Sequence, residues 1–265
     1  VSLMIGRTQK VTELPEKPVE RKEPILEIRD LCAKSGTSGV DFKLYRGEIL
    51  GLYGLVGAGR SELARALVGA NKVYGGEIFV EGKPVKIHSV SDALNTHGIG
   101  YVSEDRKVEG LILPHTVAAN ISITVWRRIA GLLGWIWNHR EKSLVKEYVD
   151  KLDIKTPSLQ QLVKNLSGGN QQKVSIAKWL AAEARILIID EPTVGIDIKT
   201  KYALHDLIWN LAKQGQAILL ISSDMPEMIR LADRILIMKS YQVVGEMQNN
   251  HNYEEISAAI MQKLM

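Results

Sequence analysis

Residues 54–61 read Gly54-Leu55-Val56-Gly57-Ala58-Gly59-Arg60-Ser61, the spacing G-x-x-x-x-G-K-[ST] with arginine in the lysine position. An apolar run, Glu48-Ile49-Leu50-Gly51-Leu52-Tyr53, precedes it, and a helix-spaced stretch, Glu62-Leu63-Ala64-Arg65-Ala66-Leu67-Val68, follows. Strand, glycine loop and helix in that order form the arrangement that binds phosphate. Glycines let the backbone close around the phosphates with amide N–H groups pointing inward. The first turn of the helix adds unsatisfied donors and a partial positive charge. Gly54 through Glu62 are therefore the expected nucleotide-binding residues, with the Ser61 hydroxyl placed to hold Mg²⁺.

A second constraint lies further along. Ile186-Leu187-Ile188-Ile189-Asp190-Glu191-Pro192-Thr193 is an apolar run ending in two carboxylates, which reads as a buried parallel strand delivering acids into a site. Beside a phosphate loop, Asp190 is expected to join the Mg²⁺ shell. Glu191 is expected to act as general base or to orient water for attack on a γ-phosphate. Between the two motifs, Leu166-Ser167-Gly168-Gly169-Asn170-Gln171-Gln172-Lys173 runs into helix-spaced Val174-Ser175-Ile176-Ala177-Lys178-Trp179-Leu180-Ala181. A serine and two glycines opening a helix make a second anion site, one more than a single nucleotide needs.

These segments carry a resemblance. Leu-Ser-Gly-Gly-Asn followed by Ile-Ile-Asp-Glu-Pro-Thr resembles the signature and Walker B motifs of the ABC-transporter ATPases. In that family two domains pair head to tail, and the signature of one caps the ATP on the P-loop of the other. Gly98-Ile99-Gly100-Tyr101-Val102-Ser103-Glu104-Asp105-Arg106-Lys107, Lys155-Thr156-Pro157-Ser158 and Ile221-Ser222-Ser223-Asp224-Met225-Pro226-Glu227 narrow the match. They resemble the C-terminal half of the bacterial monosaccharide importer ATPases of the ribose, galactoside and xylose type, over roughly residues 25–246. The resemblance implies ATP and Mg²⁺ as ligands and, as partners, an N-terminal ATPase half of the same natural chain and membrane permease subunits. It further implies an extracytoplasmic sugar-binding protein that acts indirectly, and a place at the cytoplasmic face of the bacterial membrane.

Length and composition agree with one such half. A chain of 265 residues with 45% hydrophobic content has an ample core for one domain, not for two full ATPase domains. A net charge of +4, dispersed along the chain, reads as solvated surface, so nucleic acid is not an expected partner. The single Cys32 excludes an internal disulfide and suits a reducing compartment. No apolar stretch reaches the roughly 18 residues that cross a bilayer, so membrane association is expected through a partner. Residues 1–24 mix Lys, Arg and Glu with prolines and read as a linker; a chain opening on Val1 suggests a fragment, with proteolytic processing or a tag scar as the alternative.

The expected fold class is α/β, a P-loop NTPase of ABC type occupying residues 25–265. Residues 25–31, 40–44 and 76–80, broken by turn residues such as Glu81-Gly82-Lys83-Pro84, read as an antiparallel layer. The Walker strands, residues 217–221 and residues 234–238 alternate with helical segments and predict a mostly parallel sheet with helices on its faces. The resemblance implies a helical subdomain over about residues 111–182, the part that meets the membrane subunits. Its segment Val125-Trp126-Arg127-Arg128-Ile129-Ala130-Gly131-Leu132-Leu133-Gly134-Trp135-Ile136-Trp137 suits either docking to a membrane partner or internal packing.

Departures from the family pattern cluster at one phosphate. Arg60 keeps the charge of lysine, but its planar fork is bulkier and sits less readily as a point charge between phosphates. Glu104 stands where the resemblance implies the Q-loop glutamine; it can ligate metal yet adds negative charge. Ser223 stands in the place of the switch histidine and lacks its two ring nitrogens. Leu31-Cys32-Ala33-Lys34-Ser35-Gly36-Thr37 offers no aromatic ring for the adenine. The P-loop site is thus expected to bind ATP and to hydrolyse it slowly or not at all, since misplacement by an ångström costs about a hundredfold in rate. The signature, Leu166 through Gln171, is intact apart from Asn170 in place of glutamine, and is expected to serve ATP held by the partner half. Asp197 matches the D-loop acid that bridges the halves and also suits a helix N-cap. Three other readings compete. A DNA-repair ATPase would need a long coiled coil between its motifs, a translation-factor ATPase would keep the lysine and bind RNA, and a regulatory module would bind nucleotide without turnover.

Overall fold

A computed structural model describes residues 19, 22–130 and 138–265. The chain begins with β1 (Leu26–Ala33), β2 (Val40–Leu44), β3 (Ile49–Gly54), α1 (Arg60–Leu67), β4 (Val73–Val80) and β5 (Lys83–Val85). It continues through α2 (Val90–Asn95), β6 (Ile99–Val102), α3 (Val117–Ser122), α4 (Trp126–Ile129), α5 (Asn138–Lys151) and α6 (Gly168–Ala181). Then come β7 (Ile186–Asp190), α7 (Ile198–Lys213), β8 (Ala217–Ser222), α8 (Met225–Leu231), β9 (Arg234–Lys239), β10 (Gln242–Gln248) and α9 (Tyr253–Leu264).

The strands form two sheets. One is antiparallel, in the order β2-β1-β4-β5. The other runs β10-β9-β3-β8-β7-β6, parallel throughout except for β10 at its edge. Every residue of β3, β7 and β8 is buried, as a parallel strand covered on both faces requires. The pleat divides β7 between two cores. Leu187 and Ile189 face the helices α3, α5, α6 and α7, whereas Ile186 and Ile188 face α1 and the antiparallel layer. Because β3, β8 and β7 are parallel neighbours, their C-terminal ends emerge at one edge of the sheet. Tyr53 pairs with Ser222 and Asp190 with Ile221, so the glycine loop, the two carboxylates and the segment after Ser222 start side by side.

Two elements differ from the sequence expectation. β4 begins at Val73 instead of residue 76, because Gly76 does not end the strand but lies in a bulge, with φ +80° opposite Asp30 at φ +47°. A Cβ on Gly76 would collide with the carbonyl oxygens of Arg29 and Asp30. Within the expected turn, only Glu81 and Gly82 turn; Lys83 and Pro84 belong to β5 on the edge of the sheet, where proline is tolerated. Between residues 111 and 182 the described residues form helices and isolated bridging residues, Thr116 pairing with Leu162, and no strand. Of the tryptophan segment, Val125 is buried and Trp126 is half-buried, its Nε1 donating to Ser122 Oγ at 2.8 Å. Residues 131–137 lie outside the described residues.

Candidate functional site

The glycine loop takes its shape from three local demands. Gly54, the last residue of β3, has no room for a side chain, since a Cβ there would press into Met238 O. Gly57 and Gly59 adopt φ +83° and +96°, which favour glycine. Gly59 is the N-cap of α1 and supplies no side-chain cap, so the first-turn amides of α1 remain available to a ligand. The loop exposes two apolar side chains, Leu55 at 60% and Val56 at 91%. Its underside is held by Tyr241, whose N–H donates to Ala58 O at 2.8 Å and whose ring packs against both Gly36 and Gly59.

A cavity of about 300 Å³ opens above the loop, and its walls include Gly57, Arg60, Ser61, Glu104, Glu191 and Ser223. Expected residues from the three strand ends, Ser61, Glu191 and Ser223 among them, thus share one space with Glu62 and the unexpected Arg65, whereas Asp190 is buried and does not line it. Arg60 does not project freely into it. Its Nη2 lies 3.2 Å from Glu191 Oε1, and both side chains are 8% exposed, while Nη1 is buried without a partner among the described residues. Burial raises the pKa of the Glu191 carboxyl, and Ser223 and the Arg60 guanidinium pull it back down. Glu191 itself sits at φ +45°, with its N–H donating to Ile221 O at 2.9 Å, a strained backbone held by the neighbouring strand.

Asp190 is fully buried, and desolvation pushes its carboxyl up to about 6, with the Ser61 and Tyr101 hydroxyls favouring the ionised form. Tyr101 Oη donates to Asp190 Oδ2 at 3.1 Å; burial and that carboxylate keep the phenol protonated far above its ordinary range. Asp190 Oδ1 has no hydrogen-bond partner among the described residues. An orphaned carboxylate oxygen beside Ser61, with exposed Glu104 across the cavity, offers hard oxygen donors of the kind magnesium takes. Among the described residues no group of three or more His, Cys, Asp or Glu side chains is set to hold a metal. These donors therefore suit an ion that completes its shell with phosphate oxygens and water.

The residues at the start of α6 do not line this cavity. Ser167 is the exposed N-cap, but its Oγ makes no capping bond and instead accepts from Asn170 Nδ2 at 3.0 Å. Asn170 Oδ1 accepts from Lys155 N at 2.8 Å, and buried Gln171 donates to Val163 O at 3.1 Å, so these two amides hold the helix entry in place. Leu166 packs on the helical core. Gly169 is buried against Thr200, leaving no space for a Cβ, and brings α6 onto the first turn of α7. Asp197 caps α7, accepting from Thr200 N at 3.0 Å, and the Thr200 hydroxyl together with that amide holds its carboxyl below the usual range. Arg65, Tyr101, Arg106 and Tyr241 are the site residues that motif reading passed over. Tyr101 and Arg106 lie within the segment 98–107 used for the resemblance, but nothing local marks either as a partner of Asp190 or α6.

Comparison with known proteins agrees with this geometry. The ABC transporter family matches residues 37–194. The ribose import ATP-binding protein RbsA of Clostridium perfringens is 41% identical over 255 residues, 96% of this chain and 50% of that protein. The arabinose import ATP-binding protein AraG of Pectobacterium atrosepticum is 44% identical over 231 residues, 87% of this chain and 45% of its own length. The chain thus spans about half the length of the curated relatives it matches. Among solved structures, a nucleotide-free ATP-binding cassette from an ABC transporter superposes with a TM-score of 0.76 at 19% identity, covering 91% of this chain and 98% of that one. A dimeric post-hydrolysis cassette bound to ADP and Pi gives 0.72 at 19% identity, covering 85% of this chain and 99% of that one. With the phosphate loop, the paired acids and the α6 entry placed on this sheet, the chain belongs to the ABC transporter family of ATP-binding cassettes.

Proposed function

We propose that this chain is an ATP-binding domain of a monosaccharide importer whose own P-loop binds Mg-ATP but turns it over slowly, and whose α6 entry serves the ATP of a partner half. The observation that carries the reading is the buried contact between Arg60 and Glu191. The side chain in the position of the phosphate-binding lysine faces the side chain in the position of the base, 3.2 Å away. A carboxylate stabilised by an arginine takes up a proton less readily, and an arginine engaged with a carboxylate is less available to β- and γ-phosphates. Ser223 lies beside Glu191 and provides a hydroxyl but no titratable ring nitrogen.

In this reading the amides of residues 57–62 bind the phosphates, and Ser61 with Asp190 holds Mg²⁺, Glu104 adding an outer contact. Magnesium, when bound, offsets the negative charge of the phosphate oxygens. Glu191 orients water, poorly while Arg60 faces it. The partner is an N-terminal ATPase half of the same natural chain, consistent with relatives about twice as long. Asp197 lies exposed at the start of α7, where a second half can reach it. Among the described residues no helix is long and apolar enough to cross a membrane. Attachment to the cytoplasmic face then runs through permease subunits, with residues 111–182 as the contact and an extracytoplasmic sugar-binding protein delivering the substrate.

The test is Mg-ATP binding and turnover by this chain beside Arg60→Lys and Glu191→Gln. Binding with negligible turnover, little improved by Arg60→Lys, is expected, and adding the N-terminal half should raise turnover at least tenfold. Vigorous hydrolysis by the chain alone, abolished by Glu191→Gln, would overturn the slow-site reading and make a homodimeric ATPase the better description.

A further inference from the structure

Strand register decides what stands behind the buried acid Asp190. Tyr101 of β6 pairs with Ile188 of β7 in a parallel ladder. Side chains alternate along a strand, so Tyr101, Ile188 and Asp190 point to one face of the sheet, and a phenol is long enough to reach the next residue on that face. Tyr101 Oη does so, donating to Asp190 Oδ2 at 3.1 Å. Both residues are buried, so bulk water does not compete for that bond.

The same phenol adjoins Arg65 of α1, whose partly exposed guanidinium also donates to Glu109 Oε1 at 2.8 Å. Arginine has donors and no acceptor. A hydroxyl set between an arginine and a carboxylate satisfies both in one sense only, accepting on the cation side and donating to the acid. The hydroxyl proton is thereby committed to Asp190 Oδ2. Oδ1 is left without a hydrogen-bond partner among the described residues, and the Ser61 hydroxyl lies near enough to favour the ionised carboxylate. One oxygen of Asp190 is thus occupied and the other is open.

We propose that Tyr101 is a positioning residue that makes Asp190 a one-oxygen ligand and so favours Mg²⁺ over Ca²⁺ at this site. Calcium accepts carboxylates through one or both oxygens in irregular shells, whereas magnesium demands near-octahedral geometry. A carboxyl whose Oδ2 is held by a phenol cannot turn both oxygens to an ion without breaking a buried hydrogen bond that nothing replaces. Holding Oδ2 also fixes the plane of the carboxyl, which magnesium requires and calcium does not. Groups that orient a ligating side chain change metal affinity by about 10–100-fold when removed. The inference rests on the reading that Ser61 and Asp190 hold the ion, and adds the residue that selects which ion.

The experiment is a calorimetric titration of the chain with the non-hydrolysable analogue AMP-PNP in Mg²⁺, in Ca²⁺ and in EDTA, for the wild type, Tyr101→Phe and Asp190→Asn. The readout is the gain in nucleotide affinity that each ion gives over EDTA. Tyr101→Phe should lower the magnesium gain about tenfold, with the calcium gain and the affinity in EDTA little changed. An unchanged ratio of the two gains, or a loss shared equally by both ions and by EDTA, would show that the phenol only supports the fold and would overturn the proposal. Asp190→Asn keeps the two readings apart. If it leaves the magnesium gain intact, Asp190 does not hold the ion, and the underlying reading falls together with the proposal. If it abolishes the gain while Tyr101→Phe changes nothing, the role of Tyr101 alone falls. Should Tyr101→Phe melt early, Arg65→Gln decides: it lets the hydroxyl turn away from Asp190 and should lower the ratio several-fold, and an unchanged ratio there overturns the proposal.

Discussion

Lys178 shows how a single buried charge sets a pH dependence. Burial pushes its amine down from 10.5 to about 8, although Nζ donates to Gly110 O at 2.5 Å and lies 4.7 Å from the Trp179 ring centroid. Between pH 8 and 10.5 the unfolded chain therefore binds more protons than the folded one, so stability rises with pH across that window and is lower below it. With Lys178→Met as reference, the unfolding free energy of the wild-type chain should gain about 3 kcal/mol on the variant from pH 7 to 10.5, read from urea melts. A difference that stays flat with pH would show that the amine titrates as if exposed. The same residue scale explains what motif reading reached and missed. Gly57 and Gly59 were legible because a positive φ is a local requirement. The contact of Arg60 with Glu191 was not, because the two residues lie 131 positions apart and meet only through the sheet.

At the scale of elements, the start of α1 is a contact between two strained turns. Gly59 at φ +96° meets the ring of Tyr241, itself at φ +67°, an uncommon conformation for a bulky residue. Gly59→Ala should cost about 2–4 kcal/mol, from backbone strain and from collision with that ring. Combining it with Tyr241→Ala should recover the collision but not the strain, and a double-mutant cycle by chemical denaturation separates the two. Equal costs of Gly59→Ala in both backgrounds would mean that the ring moves aside freely. Elements that carry a strong local pattern, such as β3, β7 and α6, were readable from the sequence. β10 was not, since its half-exposed edge run, Gln-Val-Val-Gly-Glu-Met-Gln, has glycine at its centre and pairs only with β9.

Across the whole molecule, buried polar links join elements that bracket the site. His205 of α7 lies 2.7 Å from Glu227 of α8, and Glu227 accepts from Ser222 at the end of β8 at 2.6 Å. All three are buried. Lys201 adds a second tie from α7, 2.6 Å from Asp224, the N-cap of α8. The segment carrying Ser223 is thus fastened to the helix that Asp197 caps. His205→Ala should cost about 3–5 kcal/mol, because it leaves Glu227 buried and short of a partner. Glu227→Gln, which keeps the shape and removes the charge, should cost less; equilibrium unfolding of both variants checks the order, and a loss under about 1 kcal/mol for His205→Ala would deny the link its structural role.

The features legible in the amino-acid order are local: a strand, glycine loop and helix able to hold phosphate, an apolar strand ending in Asp190 and Glu191, and a helix opened by Ser167, Gly168 and Gly169. Spacing, glycine conformation and capping chemistry act over a few residues, so they can be read without a fold. Only the fold settles that β8 lies between β3 and β7, bringing Ser61, Glu191 and Ser223 to one cavity. It also decided that Arg60 faces Glu191, that Tyr101 reaches Asp190, and that Arg106 lies under α6. Strand order and buried charge pairing are settled by which distant surfaces exclude water together, and no short window of sequence contains that information.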